Sequence, residues 1–229
     1  MSRPLAVLFA IALLAPAARA AEKGFALKEE SGAHLDVLLD GRVAARYMCA
    51  YDKSTPERLH ETYKPYCHVF DAEGKGPITK GAGGKYTHHR GIFIGFSRLG
   101  FGGGRHDRWH MKGGEQVHQK FLEKKADADG AVFTSVVHWN APDGKPMVVE
   151  ERTMAFRRAP DPARLLIDFT SKLAAPNGDV RLDGDPEHAG IQYRPADEVV
   201  RNETIYVYPK ENADARKDVD YPWAGEMYT

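Results

Sequence analysis

Apolar and polar positions along this chain alternate with a period of two, and the 3.6-residue stripe of an amphipathic helix is scarcely seen. Leu35, Val37 and Leu39 mark one face of a strand, Asp40-Gly41 turns the chain, and Val43 to Met48 returns, which predicts a β-hairpin. A second unit is clearer. Val132, Thr134, Val136 and His138 oppose Phe133, Ser135, Val137 and Trp139, the Pro142 to Lys145 turn holds Asp143-Gly144, and Met147 to Phe156 runs back. Leu165 to Leu173 follows as a strand after Pro160 and Pro162, and Gln116 to Lys124 leads in through a turn over Ala126 to Gly130. Together these predict an antiparallel meander.

A parallel α/β architecture needs a helix between successive strands, and no window after residue 25 supplies one. The predicted fold is therefore all-β, a large antiparallel β-sandwich, with residues 21–229 as a single domain. No repeat of fixed period is visible, which argues against a propeller or a solenoid. The final stretch from Tyr221-Pro222-Trp223 to Thr229 reads as a turn and the opening of another strand, so the domain is expected to be incomplete at its C-terminus. The 22 glycines and 14 prolines suit many short elements joined by turns.

Residues 1–20 follow a different pattern. Arg3 precedes an apolar run from Leu5 to Leu14, Pro16 follows, and Ala18-Arg19-Ala20 supplies the small residues of a signal-peptidase site. That run is 10 residues, short of the roughly 20 a bilayer span needs. A signal peptide over residues 1–20, cleaved after Ala20, is expected, with a periplasmic or extracellular product and no stable membrane insertion afterwards. Lys plus Arg and Asp plus Glu are 32 each, which gives no electrostatic reason to expect nucleic acid. Cys49 and Cys67 are the two cysteines, 18 residues apart. In an oxidising compartment they can pair, or each can sit buried as a small hydrophobe, and both readings stay open. Neither CxxC nor zinc-ribbon spacing is present.

Candidate chemistry concentrates in one stretch. Five of the ten histidines, His88, His89, His106, His110 and His118, fall within 31 residues rich in loop formers. His88-His89-Arg90 stands at the entrance of an apolar strand, Ile92 to Phe96, where imidazoles can transfer protons near neutral pH and a guanidinium can hold an oxyanion or carboxylate. One of the two histidines is expected to face the core as support and the other to reach a cavity, with Arg90 beside an acidic partner. In Asp107-Arg108-Trp109-His110, the indole can serve as a flat platform for a sugar ring while Asp and His bond its hydroxyls. Alternatively, that Trp anchors a long loop. His106 and His110 would face one metal only on a helix, which Gly113 and Gly114 oppose, so no metal ligands are assigned and no cofactor is named. Glu150 and Arg152 share a strand face with Val148, Met154 and Phe156, where they either pair or line a pocket. His188, Gly190, Gln192 and Arg194 form a further polar group on a short strand.

The runs Thr87 to Phe96, Asp107 to His110, Glu150-Glu151-Arg152, His188 to Arg194 and Tyr221-Pro222-Trp223, in this order, resemble the secreted bacterial DUF6807 family, often labelled methane oxygenase PmoA. The resemblance extends from about His34 to the end. A membrane methane monooxygenase subunit crosses the bilayer several times, and this sequence offers only a cleavable signal, so that activity is not expected. What the resemblance implies is a sandwich akin to the galactose-mutarotase-like group, whose open face binds sugars and whose His and Glu side chains exchange protons. The resemblance carries no catalytic assignment, and it is the residue types that make His88, His89 and His188 the expected acid or base, with Glu150 as carboxylate partner. Arg90, Arg152 and Arg194 would anchor substrate, Trp109 would be the platform, and His110 and Gln192 would bind. The expected partner is a carbohydrate or another small polar substrate. A noncatalytic carbohydrate-binding module and a metal-dependent periplasmic oxidase or hydrolase are the alternatives. If a shared site exists, these side chains converge on one concave face.

Overall fold

The computed structural model describes residues 23–161, 163–185, 187–198, 205–214 and 225–227. The expected signal peptide and the Tyr221-Pro222-Trp223 run lie outside the described residues. Two antiparallel sheets carry the fold. The larger has six strands in the order β1 (Phe25–Glu30), β2 (His34–Leu39), β3 (Arg42–Met48), β4 (Tyr66–Val69), β5 (Ile92–Phe96) and β13 (Ala189–Tyr193). The other is the predicted meander: β8 (Gln116–Ala126), β9 (Gly130–Asn140), β10 (Pro146–Arg158) and β11 (Leu165–Ala174). Two small sheets complete the described residues: β12 (Arg181–Asp183) with β6 (Arg98–Phe101) and β7 (Gly104–His106), and β14 (Ile205–Val207) with β15 (Gly225–Met227).

Period-two burial fixes how the main sheets meet. Leu35, Val37, Leu39, Ala45 and Tyr47 of the larger sheet pack against Phe133, Met154 and Phe156 of the meander. Toward the other end Ile94 packs against Val137, Trp139, Met147 and Val148. Each strand turns one face inward, as a sandwich requires. The β2–β3 hairpin closes where expected, with both Asp40 (φ 53°) and Gly41 (φ 75°) in the left-handed region that a tight two-residue turn demands. One helix lies outside the predicted pattern. Pro56–Thr62, α1, is seven residues, capped by the Thr55 hydroxyl accepting from Arg58 N, and is too short to print an apolar stripe.

The Glu150–Arg152 pair is interior, on β10 between the sheets. Arg152 donates from Nε to Glu150 Oε1 and from Nη2 to Oε2, each at 2.8 Å, and from Nη1 to Pro65 O at 3.0 Å. Glu150 also accepts from Trp139 Nε1 at 2.8 Å and Ser171 Oγ at 2.9 Å. Both side chains are fully buried, so of the two readings of this strand face the pairing holds. Cys49 and Cys67 are separate buried thiols, each pushed up to about 12 by burial.

Candidate functional site

The outer face of the larger sheet carries the site. On β5, Ile92, Ile94 and Phe96 point into the sandwich, while Phe93 and Gly95 point the other way. Gly95 has no Cβ, and one built there would overlap the Arg108 carbonyl, so this position lets the turn after β7 lie flat on the strand. Within that turn Asp107 Oδ1 accepts from the backbone N of Trp109 (3.0 Å) and His110 (2.8 Å), and Oδ2 accepts from His110 Nδ1 at 2.8 Å. Arg108 fastens it from below through the carbonyls of Asp107, Gly113 and Asn140.

A second turn of the same kind precedes β13, which lies beside β5 with Gln192 opposite Phe93. Asp185 Oδ1 accepts from His188 Nδ1 at 2.5 Å, and His188 N donates to the Asp185 carbonyl at 3.0 Å. A backbone bond from Ser97 N to His188 O, 3.0 Å, brings this turn alongside the first. The His110 and His188 rings end 5.0 Å apart, centroid to centroid. His88 follows at 4.6 Å from His110, and His89 at 4.4 Å from His88. Four imidazoles thus form one continuous row.

His88, His89, His110, His188, Gln192 and Arg194 line a single cleft of about 790 Å³. Because a carboxylate can only accept, the Nδ1 of His110 and of His188 carries the proton, which leaves Nε2 of each neutral ring with its lone pair. Burial, with His110 beside it, pushes His88 down to about 4, and burial with Arg194 nearby pushes His89 down to about 3, so both are neutral at pH 7. The cleft therefore offers two imidazoles oriented by aspartates and two held neutral by burial.

Several expected roles change. Trp109 is fully buried, packed 5.1 Å from Phe93 and 5.6 Å from His188, so it is the floor beneath the histidines and not an open platform. Arg90 is also fully buried. Carbonyls hold it in place of an acidic partner: it donates to His89 O and His60 O, both at 3.1 Å, with the Tyr63 and Tyr66 rings 5.3 and 5.9 Å from its guanidinium carbon. Glu150 and Arg152 are sealed between the sheets and cannot touch a ligand in the cleft. His88 and His89 do not divide into one support and one cavity residue; both line the cleft, because they sit in the loop before β5, where strand alternation does not apply. His106 belongs to β7 and borders a different groove with Phe101. Among the described residues no group of three His, Cys, Asp or Glu stands in metal-holding geometry.

Four residues in the cleft or behind its wall escape a reading by strand pattern: Asp185, which lies behind it, and Tyr86, Lys80 and Asp197, which line it. One signal was present for the first. Asp107-Arg108-Trp109-His110 and Asp185-Pro186-Glu187-His188 share the spacing Asp-x-x-His, and in both the aspartate orients the histidine. Beneath the row, Lys64 is 2% exposed, donates to Trp109 O at 2.9 Å and lies 3.9 Å from the Phe93 ring centroid. Burial among the Arg90, Arg152 and Arg194 guanidinium groups lowers its pKa well below the ordinary lysine value.

Fold and cleft together define an all-β sandwich with a histidine-lined site on the outer face of its larger sheet. The chain belongs to DUF6807, a family of unknown function, whose family model matches residues 34–226. No curated protein and no solved structure matches it.

Proposed function

We propose that the cleft is an active site for acid–base chemistry on a carbohydrate or a similarly hydroxylated small molecule, in a protein exported to the periplasm or beyond. One observation carries this reading: two histidines, each oriented by its own aspartate, stand 5.0 Å apart on the wall of one cleft. Proton transfer to and from sugar carbon or oxygen needs a base with a fixed tautomer and a second group within reach of the same substrate. His110 and His188 are those groups. His88, Gln192 and Arg194 then bond hydroxyl or carbonyl oxygens, the neutral imidazole acting as acceptor or donor and the amide as both. The open-faced sandwich supports this reading by analogy of fold alone.

The test is turnover of a panel of glycosides and keto-sugars by the full-length chain and by its His188→Ala and His110→Ala variants. A substrate whose kcat falls about a hundredfold or more in either variant, with binding retained, is the expected result. Turnover indifferent to both substitutions overturns the assignment, and ligand binding with no turnover of any substrate identifies a binding module instead. For export, N-terminal sequencing of the secreted protein should begin at Ala21; Met1 on secreted protein would count against it.

A further inference from the structure

Tyr86 stands where the cleft meets solvent. It lines the histidine cleft and yet is 50% exposed. Its ring lies 5.2 Å from that of His89 with only 30° between the planes, and 6.3 Å from His88. The row of imidazoles therefore ends in an aromatic ring open to water. A flexible side chain, Lys85, reaches it with its ammonium 5.2 Å from the ring centroid.

The loop that carries Tyr86 is tied down. Lys80, 7% exposed, donates to Asp197 Oδ1 and Oδ2 at 2.8 and 2.7 Å and to Gly83 O at 3.0 Å. Gly84, with φ of 66°, passes so close that a Cβ would overlap the Asp197 carboxylate. On the far side His89 N donates to Tyr86 O at 3.0 Å, and Tyr63 Oη to Thr87 O at 3.4 Å. An exposed ring on a tethered backbone is a preorganised surface, ordered before any ligand arrives.

The charges on the cleft wall balance. Lys80 and Arg194 are matched in number by Asp197 and Glu187, and the two aspartates behind the wall are engaged by His110 and His188. Such a wall has no net sign with which to recruit an ion. What it presents is one aromatic face beside imidazole and amide groups, which fits a ligand with an apolar face and a rim of hydroxyls.

We infer that the cleft binds an uncharged pyranose ring, with Tyr86 as its stacking platform and specificity determinant. The inference rests on the acid–base reading above and adds the residue and the substrate class. The stacked ring displaces the Lys85 side chain and turns its hydroxyl edge toward His88 and Gln192, and the aromatic surface once expected of Trp109 is supplied by Tyr86.

The experiment titrates the full-length chain by NMR with methyl β-glucopyranoside, methyl β-galactopyranoside and methyl α-mannopyranoside, and with methyl β-glucuronide and glucosamine as charged counterparts. At least one neutral pyranoside is expected to bind. Tyr86→Ala should weaken that binding about tenfold, while Tyr86→Phe, which keeps the face and loses only the hydroxyl, should stay within about twofold. Because Tyr86 is exposed, both variants should melt with the wild type. Binding by Tyr86→Ala equal to wild type overturns the platform; if turnover still depends on His188, the active-site reading survives alone. Tighter binding of glucuronide or glucosamine than of every neutral ring overturns the uncharged class. Failure of the wild type to bind any of the five overturns the inference, and absence of His188-dependent turnover as well would remove the reading beneath it.

Discussion

Asp185 shows what a single residue does here and why the strand pattern hides it. It does not line the cleft itself; it acts by holding His188 through Nδ1, and so fixes which nitrogen of the neutral ring is free. Asp185→Asn can still sit at the same distance but offers an amide N–H as readily as a carbonyl, so the other tautomer becomes available. The expected outcome is a fall in kcat of about tenfold to a hundredfold with KM little changed, and recovery of part of the rate in Asp185→Glu. A merely structural role would instead lower the melting temperature and leave the pH profile alone. At the same scale Glu150 makes the opposite prediction. Removing it as Glu150→Ala leaves Arg152 charged and buried, which costs about 3–5 kcal/mol. Urea unfolding should show that loss, while the folded fraction keeps its ligand affinity; undiminished stability would mean that the pair does not hold the interior. Composition and spacing could place His88, His89, His110 and His188 as candidates because imidazoles clustered near loops are visible in a sequence. They could not separate Trp109 from Tyr86. Both are aromatic residues in loops, and only packing against Phe93 makes one of them floor and leaves the other open.

At the scale of elements, the strands were legible and the loops that carry the chemistry were not, for one physical reason. Leu35 to Leu39 and Val132 to Trp139 alternate because each strand must bury one face, and that constraint is local in sequence. The loop from residue 70 to residue 91 answers to distant partners. Gly91 N donates to Lys80 O, Lys80 N to Arg194 O, and Lys80 Nζ to Asp197, so its shape depends on residues more than a hundred positions later. Glu150 and Arg152 lie between these cases: their shared face was readable, but whether that face was core or cleft depended on which sheet lay above it. The turn at Asp107 to His110 can be tested through the strand it rests on. Gly95→Ala places a methyl group into the Arg108 carbonyl and must lift the turn from β5. Overpacking of this kind costs about 1–3 kcal/mol, and it should also pull His110 away from His188. The measurable outcome is a lower melting temperature together with lost turnover. An unaltered rate in Gly95→Ala would show that the contact between the turns is not needed.

For the molecule as a whole, the same burial that keeps His88 and His89 neutral sets its response to acid. His68, His88 and His118 are each pushed down to about 4 and His89 to about 3, burial being the main cause in every case. In the unfolded chain all four return to about 6.5. Above that value both states are neutral and pH has no effect through these groups. Between about 6.5 and 4 the unfolded chain takes up protons that the folded chain refuses, so the sign is fixed: stability falls as pH falls through this window. His68, 8% exposed and bonded through Nδ1 to Thr79 Oγ1 at 3.0 Å, should contribute close to the full linkage of about 1.4 kcal/mol per pH unit inside it. The half-exposed His88 and His89 contribute less because solvent screens them. Asp40 and Asp52, lowered to about 2, add their own loss mainly below the histidine window. Denaturant unfolding at pH 7, 6, 5 and 4.5 should therefore show a steady loss of stability already complete in large part above pH 4.5, and His68→Phe should flatten that slope. Stability unchanged from pH 7 to 4.5 would mean that these rings are not buried as neutral imidazoles, and the neutral state assigned to His88 and His89 in the cleft would lose its basis.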